Sequence, residues 1–165
     1  MTHSTLVAGA HEIISRHAEC FVAYHSQRQQ KALHASVAYK KNEVLVSFSA
    51  AETFNEPTYL TIQTGENKHI SLAPSFLQYT NHSCRPNVFF DTTLMGFIAL
   101  QDIEAGEELC FFYPSTEWEM AEAFPCACGQ PECLLEIKGA RFLSDEQLDH
   151  YKLTDFIQQQ LASRK

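Results

Sequence analysis

The sequence predicts a mostly β domain with a few short helices, of the α+β kind, and three observations carry this. Short segments rich in β-branched and aromatic residues recur between residues 19 and 113. Gly, Asn and Asp clusters of turn-forming type separate them. The clearest helix signals fall at the C-terminal end. At 165 residues the chain fits one domain and can bury a core without disulfide staples.

Taken in order, residues 6–17 (LVAGAHEIISRH) place apolar residues at loosely helical spacing and predict a short helix. Strands are expected at 19–25 (ECFVAYH) and 43–48 (EVLVSF), the second preceded by a turn at Lys40 to Asn42. Further strands are expected at 58–63, ahead of the Gly65–Asn67 turn, and at 69–72, 87–90 and 96–100, the last two joined by a turn at Asp91 to Thr93. Residues 108–113 (ELCFFY) follow the Ala105–Glu107 turn as a strand ending in Tyr113. The polar stretch from Pro114 to Pro125 predicts a helical turn. Ser144-Asp145-Glu146-Gln147 reads as a capping box opening a helix, and 154–162 reads as a final helix with Phe156 and Leu161 as its main apolar residues.

Composition narrows the function. The formal net charge of −8 argues against direct nucleic-acid binding, which needs basic surface, and suits a basic peptide partner. No apolar run approaches the roughly 20 residues that span a bilayer, so no membrane association is expected. The N-terminus shows no basic segment followed by an apolar stretch. A cytoplasmic location, or a nuclear one in a eukaryote, is therefore expected, with thiols kept reduced.

Three segments carry chemistry. Cys126, Cys128 and Cys133 lie within eight residues, with Gly129 and Pro131 favouring a tight turn. Three thiolates so close can wrap one face of a tetrahedral Zn²⁺, but a closed site needs a fourth ligand. Cys20, Cys84, Cys110 and several histidines are open for that place. The second segment is Tyr79-Thr80-Asn81-His82-Ser83-Cys84-Arg85-Pro86-Asn87, a polar loop between apolar strands. The third is Gly106-Glu107-Glu108-Leu109-Cys110-Phe111-Phe112-Tyr113, a turn feeding a strand. His3, His11, His17, His25, His34 and His69 form no ligand pattern and read as surface or packing residues. Cys20 and Cys110 read as small core hydrophobes.

Together the three segments resemble the SET domain of protein-lysine methyltransferases and its post-SET cysteine loop. Residues 81–87 match the motif N-H-S-C-x-P-N, residues 106–113 match G-E-E-L-x-F-x-Y, and residues 126–133 match C-x-C-x4-C, in the family's order. The resemblance implies a fold of small sheets with a pseudoknot, over residues 1–115. A linker and post-SET loop would follow over 116–143, and a helical tail over 144–165. It also implies S-adenosylmethionine-dependent methylation of lysine side chains on a protein or peptide substrate.

Residue by residue, Asn81 and His82 match cofactor contacts. Cys84 matches the fourth ligand of a structural zinc held with Cys126, Cys128 and Cys133. Tyr113 matches the catalytic tyrosine, which also borders the cofactor. Phe111, two residues earlier on the same face by strand alternation, lines the lysine channel and implies a di- or trimethylated product. The family's G-x-G loop falls on Gln30-Lys31-Ala32, so Lys31 and Ala32 are expected at the cofactor although neither is glycine. The upstream channel tyrosine falls on Phe48, and the arginine before the N-H pair is Gln78. The lost glycines leave a second class open, a SET-like interaction module without catalysis.

Overall fold

The computed structural model describes residues 11–164. The fold is mostly β, in small sheets, with few short helices. The first sheet is a meander of β1 (His11–Arg16), β2 (Cys20–His25) and β3 (Gln30–Ala35). β4 (Val44–Ser47) and β5 (Ser49–Phe54) follow directly on one another but belong to different sheets. β5 joins β6 (Ile62–Gly65) and β7 (Lys68–Ala73) in the order β5-β7-β6. A 3₁₀ turn at Ser75–Tyr79 leads to the two-residue β8 (Asn81–His82). β9 (Val88–Asp91) and β10 (Gly96–Ala99) form a hairpin whose β10 also pairs with β4. β11 (Cys110–Phe111) runs parallel to β8. After a 3₁₀ turn at Tyr113–Ser115 come the short pair β12 (Phe124–Pro125) and β13 (Glu136–Ile137), a 3₁₀ turn at Ala140–Phe142, and helices α1 (Asp145–Leu148) and α2 (Asp155–Ser163).

The core lies among the sheets. Leu33, Leu45, Phe90, Phe97, Ile70, Leu77, Ile103, Leu109 and Phe111 are buried in one cluster. Its aromatic rings meet edge to face, Phe90 against Phe48 at 5.5 Å and against Phe111 at 4.8 Å.

Several expected elements change. The helix expected over 6–17 is, from His11 on, strand β1; residues 6–10 lie outside the described residues. Alternate residues of β1 point to opposite faces, and backbone pairing with β2 overrides the loose helical spacing. The strand expected at 58–63 begins only at Ile62. The Thr61 hydroxyl accepts the Thr58 N–H at 2.9 Å and donates to the Thr58 carbonyl, closing a turn in place of a ladder. The strand expected at 108–113 shrinks to Cys110–Phe111, because Pro114 lacks the N–H a strand would use and the chain turns into the 3₁₀ segment. β3, β5, β12 and β13 were not anticipated. The capping box at Ser144 forms as predicted, with both of its reciprocal bonds, and α2 starts after Thr154, whose hydroxyl accepts the Ile157 N–H.

The C-terminal helices dock on the segment after β11. The Tyr151 ring stacks on Phe112 at 3.6 Å and its hydroxyl donates to the Cys84 carbonyl at 2.7 Å. The Thr154 N–H donates to the Ser115 carbonyl. Backbone bonds also tie Met120 to Lys138, Ala140 to Glu117 and Arg141 to Trp118. Gly139 makes this close approach possible: its φ is +117°, and a Cβ there would sit 2.5 Å from the Trp118 carbonyl oxygen and 2.7 Å from the Glu119 Cα. Gly139→Ala is expected to cost roughly 2–5 kcal/mol of stability, from strain plus overlap with backbone. A denaturant midpoint equal to that of the parent would contradict it.

The histidines at the end of the first sheet form an ordered chain rather than isolated packing residues. Arg28 Nη2 donates to His25 Nδ1 at 2.7 Å, so the His25 proton sits on Nε2 and is donated to His34 Nε2 at 2.9 Å. His34 is then protonated on Nδ1, which donates to the Gly106 carbonyl at 2.9 Å. Both rings are neutral in this arrangement. Burial, with Arg28 next in weight, pushes His25 down to about 4, and burial lowers His34 as well. Unfolded histidine titrates near 6.5, so between about 6.5 and 4 the folded state binds fewer protons than the unfolded one. Stability should therefore fall as pH drops through that window. In His34→Gln, whose amide can replace both ring bonds, the slope of unfolding free energy against pH should be shallower. An unchanged slope would show that the chain does not carry the effect.

Candidate functional site

The site begins where β8 and β11 lie side by side. Cys110 pairs with Asn81 and Phe111 with His82. Asn87 closes the crossing with its side chain, donating from Nδ2 to the Glu108 carbonyl and accepting the Cys110 N–H, each at 2.9 Å. The Ser83 and Asn87 N–H groups donate to the carbonyls of Phe111 and Cys110. Residues 81–87 and 108–113, distant in sequence, thus become one unit.

Above this unit opens a cavity of about 1090 Å³. Asn81, His82, Cys110 and Tyr113 line it, with Arg28 and Glu108 on one wall and residues 120–128 on another. The Arg28 guanidinium meets the Glu108 carboxylate at 2.7 Å, and Asn81 Nδ2 donates to the same carboxylate at 3.2 Å and to the Lys31 carbonyl at 3.0 Å. Burial raises Glu108, but the hydrogen bonds from Arg28 and Asn81 more than offset it and hold the carboxyl below its usual value.

A second, narrow cavity of about 40 Å³ shares part of its wall with the first. Phe111, Phe90, Leu77, Ile62, Tyr113 and Glu117 are among the residues that line it, and Tyr113, Tyr59 and Met120 border both cavities. Phe111 and Tyr113 share this side, with ring centroids 4.6 Å apart. Cys110 faces the large cavity and Phe112 packs on Tyr151, as strand alternation predicts. The Tyr113 hydroxyl donates to the Thr80 carbonyl at 3.1 Å, and burial pushes its pKa upward, so it stays a neutral donor.

His82 joins the tyrosine to the cysteines. Its Nδ1 accepts the Tyr113 N–H at 3.2 Å, which leaves the proton on Nε2, 3.4 Å from Cys84 Sγ. Burial lowers the His82 pKa to about 4 and keeps the ring neutral. The sulfurs of Cys84, Cys126, Cys128 and Cys133 lie within 4.8 Å of one another, with Cys84 and Cys126 3.9 Å apart. A tetrahedral ion with Zn–S bonds of about 2.3 Å sets its sulfurs about 3.8 Å apart, so the four thiols fit one. The N–H groups of Leu134 and Leu135 also point at Cys84 and Cys133 Sγ, each at 3.4 Å, as donors to thiolate.

Three residues expected at the site lie elsewhere. Ala32 is fully buried within β3, opposite Ala23, and does not line the cavity. Lys31 offers its carbonyl to Asn81, while its ammonium lies 5.0 Å over the Tyr79 ring. Without glycines this segment is a regular strand, and Arg28 and Gln30 at the hairpin turn reach the cavity instead. Phe48 is buried in the core against Phe90, outside the residues that line the narrow cavity. Its N–H bonds to the Met95 carbonyl at the end of the β4–β10 pair, which turns it inward. The sequence reading missed Arg28, Glu108 and Glu117. Charged residues carry no periodic signal, and only the fold turns these three toward a cavity. His25, His34 and Glu108 bring three potential metal donors together, but their hydrogen bonds are already satisfied by one another, Arg28 and Asn81.

Comparison with known proteins identifies the family. The SET domain family matches residues 10–114. A protein named methyltransferase flvH from Aspergillus flavus is 35% identical over 142 residues, covering 85% of this chain and 76% of that protein. An H3 lysine-36 specific histone-lysine N-methyltransferase of Schizosaccharomyces pombe is 37% identical over 87 residues, 49% of this chain but only 11% of that larger protein. The corresponding Aspergillus oryzae enzyme is 35% identical over 81 residues, 46% of this chain and 8% of its own length. With its motif residues lining two neighbouring cavities and the family match spanning most of the chain, this protein belongs to the SET-domain family.

Proposed function

We propose that this protein is a methyltransferase that binds S-adenosylmethionine in the large cavity and methylates a lysine amine presented through the narrow one. One observation carries this reading: Tyr113 borders both cavities, so a donor in one and an acceptor in the other would each lie against it. Asn81 and His82 border the cavity where the resemblance expects a cofactor, and Arg28 and Glu108 offer opposite charges to the zwitterionic amino-acid end of such a molecule. When bound, the cofactor supplies an electrophilic methyl on a sulfonium. The chain's own contribution is placement. Phe111 and Tyr113 wall the channel, and the Tyr113 hydroxyl fixes the geometry of the reacting centre. The apolar walls exclude water and favour the neutral amine; for free lysine at pH 7 reaching that form costs about 4–5 kcal/mol. Phe111 offers no hydroxyl to hold a water, which favours products beyond monomethyl-lysine.

The substrate in this reading is a protein or peptide lysine. The relatives that act on histones support the amine, and the net charge of −8 suits a basic partner. Zinc held by Cys84, Cys126, Cys128 and Cys133 would be structural, joining residues 126–133 to the unit that carries His82 and Tyr113.

Four outcomes test this. S-adenosylhomocysteine should bind the parent in a calorimetric titration. With labelled S-adenosylmethionine and a lysine-rich protein extract, Tyr113→Phe should transfer label at least about 100-fold more slowly. Equal transfer would remove the tyrosine from catalysis, and absence of any cofactor binding would leave the interaction-module reading in its place. Protein purified without added metal should contain one zinc per chain by elemental analysis, and Cys84→Ser should lower that content and the thermal midpoint together. Full zinc occupancy in Cys84→Ser would exclude Cys84 as a ligand.

A further inference from the structure

Glu117 is the only carboxyl among the described residues that line the narrow cavity, and the mechanism above gives it no task. Its residue is 5% exposed. Oε1 accepts the Gln63 N–H at 2.9 Å and the Thr116 hydroxyl at 3.2 Å. Among the described residues neither oxygen meets a cation, and Oε2 has no hydrogen bond. The side chain is also held in place. Gln63 Oε1 accepts the Trp118 N–H at 3.0 Å, the Glu117 carbonyl accepts the Ala140 N–H, and Gly139 lets that strand of backbone lie against residues 118–119. A buried carboxyl with no cation is expensive to keep charged. Burial accordingly pushes Glu117 up to about 8, with the Gln63 and Thr116 bonds opposing it.

The surroundings leave the place of a cation open. The other titratable groups on the channel wall are Tyr113 and Tyr59. From β6, Gln63 is neutral, and His69, which faces Gln63 across the β6–β7 pair, is lowered by burial alone. On the segment packed against 117–119, Lys138 is paired with Glu136 and Arg141 with Glu119.

We propose that Glu117 receives the ammonium of the substrate amine in the channel and acts as its proton acceptor. This rests on the methyl-transfer reading above. As the ammonium enters, the neutral carboxyl gives its proton to water and an ion pair forms; one N–H bond of the ammonium then breaks as an O–H bond forms on Glu117, leaving a neutral amine beside a neutral carboxyl. The freed nitrogen pair then forms the N–C bond while the S–C bond of the donor breaks, its electrons staying on sulfur as a thioether. The product is a methylammonium, and Glu117 is left neutral as it began; the one proton the reaction releases is the one given to water when the ammonium entered. A carboxyl that titrates near neutral pH is matched to this exchange, since it is neither too weak to take the proton nor too strong to release it. The channel thereby selects a cationic amine over a neutral group of the same shape.

The experiment uses the full chain with S-adenosylhomocysteine and n-butylamine, a mimic of the end of a lysine side chain. In protein labelled with carbon-13 at glutamate carboxyls, n-butylamine at pH 7 should move the Glu117 resonance toward its ionised position. It should also bind the parent at least about tenfold more tightly than Glu117→Gln, with S-adenosylhomocysteine affinity the same in both. Label transfer into the lysine-rich extract should drop about 100-fold in Glu117→Gln at pH 7 and recover toward pH 10, where the amine loses its proton unaided. Equal amine binding by parent and variant, or a Glu117 resonance that ignores the amine, would overturn the proposal; the resonance needs no variant to fold. Loss of S-adenosylhomocysteine binding by the parent would instead count against the methyl-transfer reading, so the two failures are distinguishable.

Discussion

The side chain of Asn87 bonds the backbone of residues 108 and 110, and the parallel pair β8–β11 forms beside it. Other functional features hang from this crossing. It sets Asn81 and His82 under the large cavity, turns Phe111 and Tyr113 toward the narrow one, and leaves Cys84 projecting toward residues 126–134. A two-residue parallel pair is weak by itself, and closing such a loop costs chain entropy. The amide of Asn87 offsets that by supplying a donor and an acceptor at once in a nearly dry place, where each bond is strong and each unmade one costly.

Around the crossing, polar groups are buried in linked sets rather than singly. The chain Arg28, His25, His34 and the Gly106 carbonyl fixes the tautomers of two neutral histidines and anchors the wall that carries Glu108. Glu108 in turn holds Asn81. His82 links the Tyr113 backbone to Cys84, so the cysteine cluster and the tyrosine share one imidazole. Glu117 differs from these sets. Its two donors are neutral, and among the described residues no cation reaches it. An incompletely compensated carboxyl beside a channel is the kind of polar group a ligand completes.

Legibility in the sequence followed the reach of each interaction. The Ser144 capping box is a set of local bonds between residues three apart and is found where the motif placed it; the Thr154 cap, equally local, opens the helix expected from 154. The alternation along 110–113 was equally local, and its consequence for Phe111 and Tyr113 holds although the strand is shorter than expected. β1 was misread because its apolar spacing suits two periods, and only the partner strand β2 chose between them. Residues 58–61 looked like strand by composition, yet the Thr61 hydroxyl closed a turn with two bonds to the Thr58 backbone. Phe48 and Ala32 were misplaced because aligning them by count assumed loops of unchanged length.

What the sequence by itself determined is the chemistry available: the motif asparagine, histidine and tyrosine, the three clustered cysteines, and an acidic chain with many short strands. Those follow from residue identity and short spacing, which the chain carries before it folds. Tertiary structure alone decided that Cys84 comes within 3.9 Å of Cys126, that Arg28 rather than a glycine loop borders the large cavity, and that Glu117 lines the narrow cavity with no cation from the described residues beside it. Each of these depends on bringing together groups distant along the chain. Side-chain direction across such distances is fixed by pairing register and close packing, and neither is written in the spacing of residues.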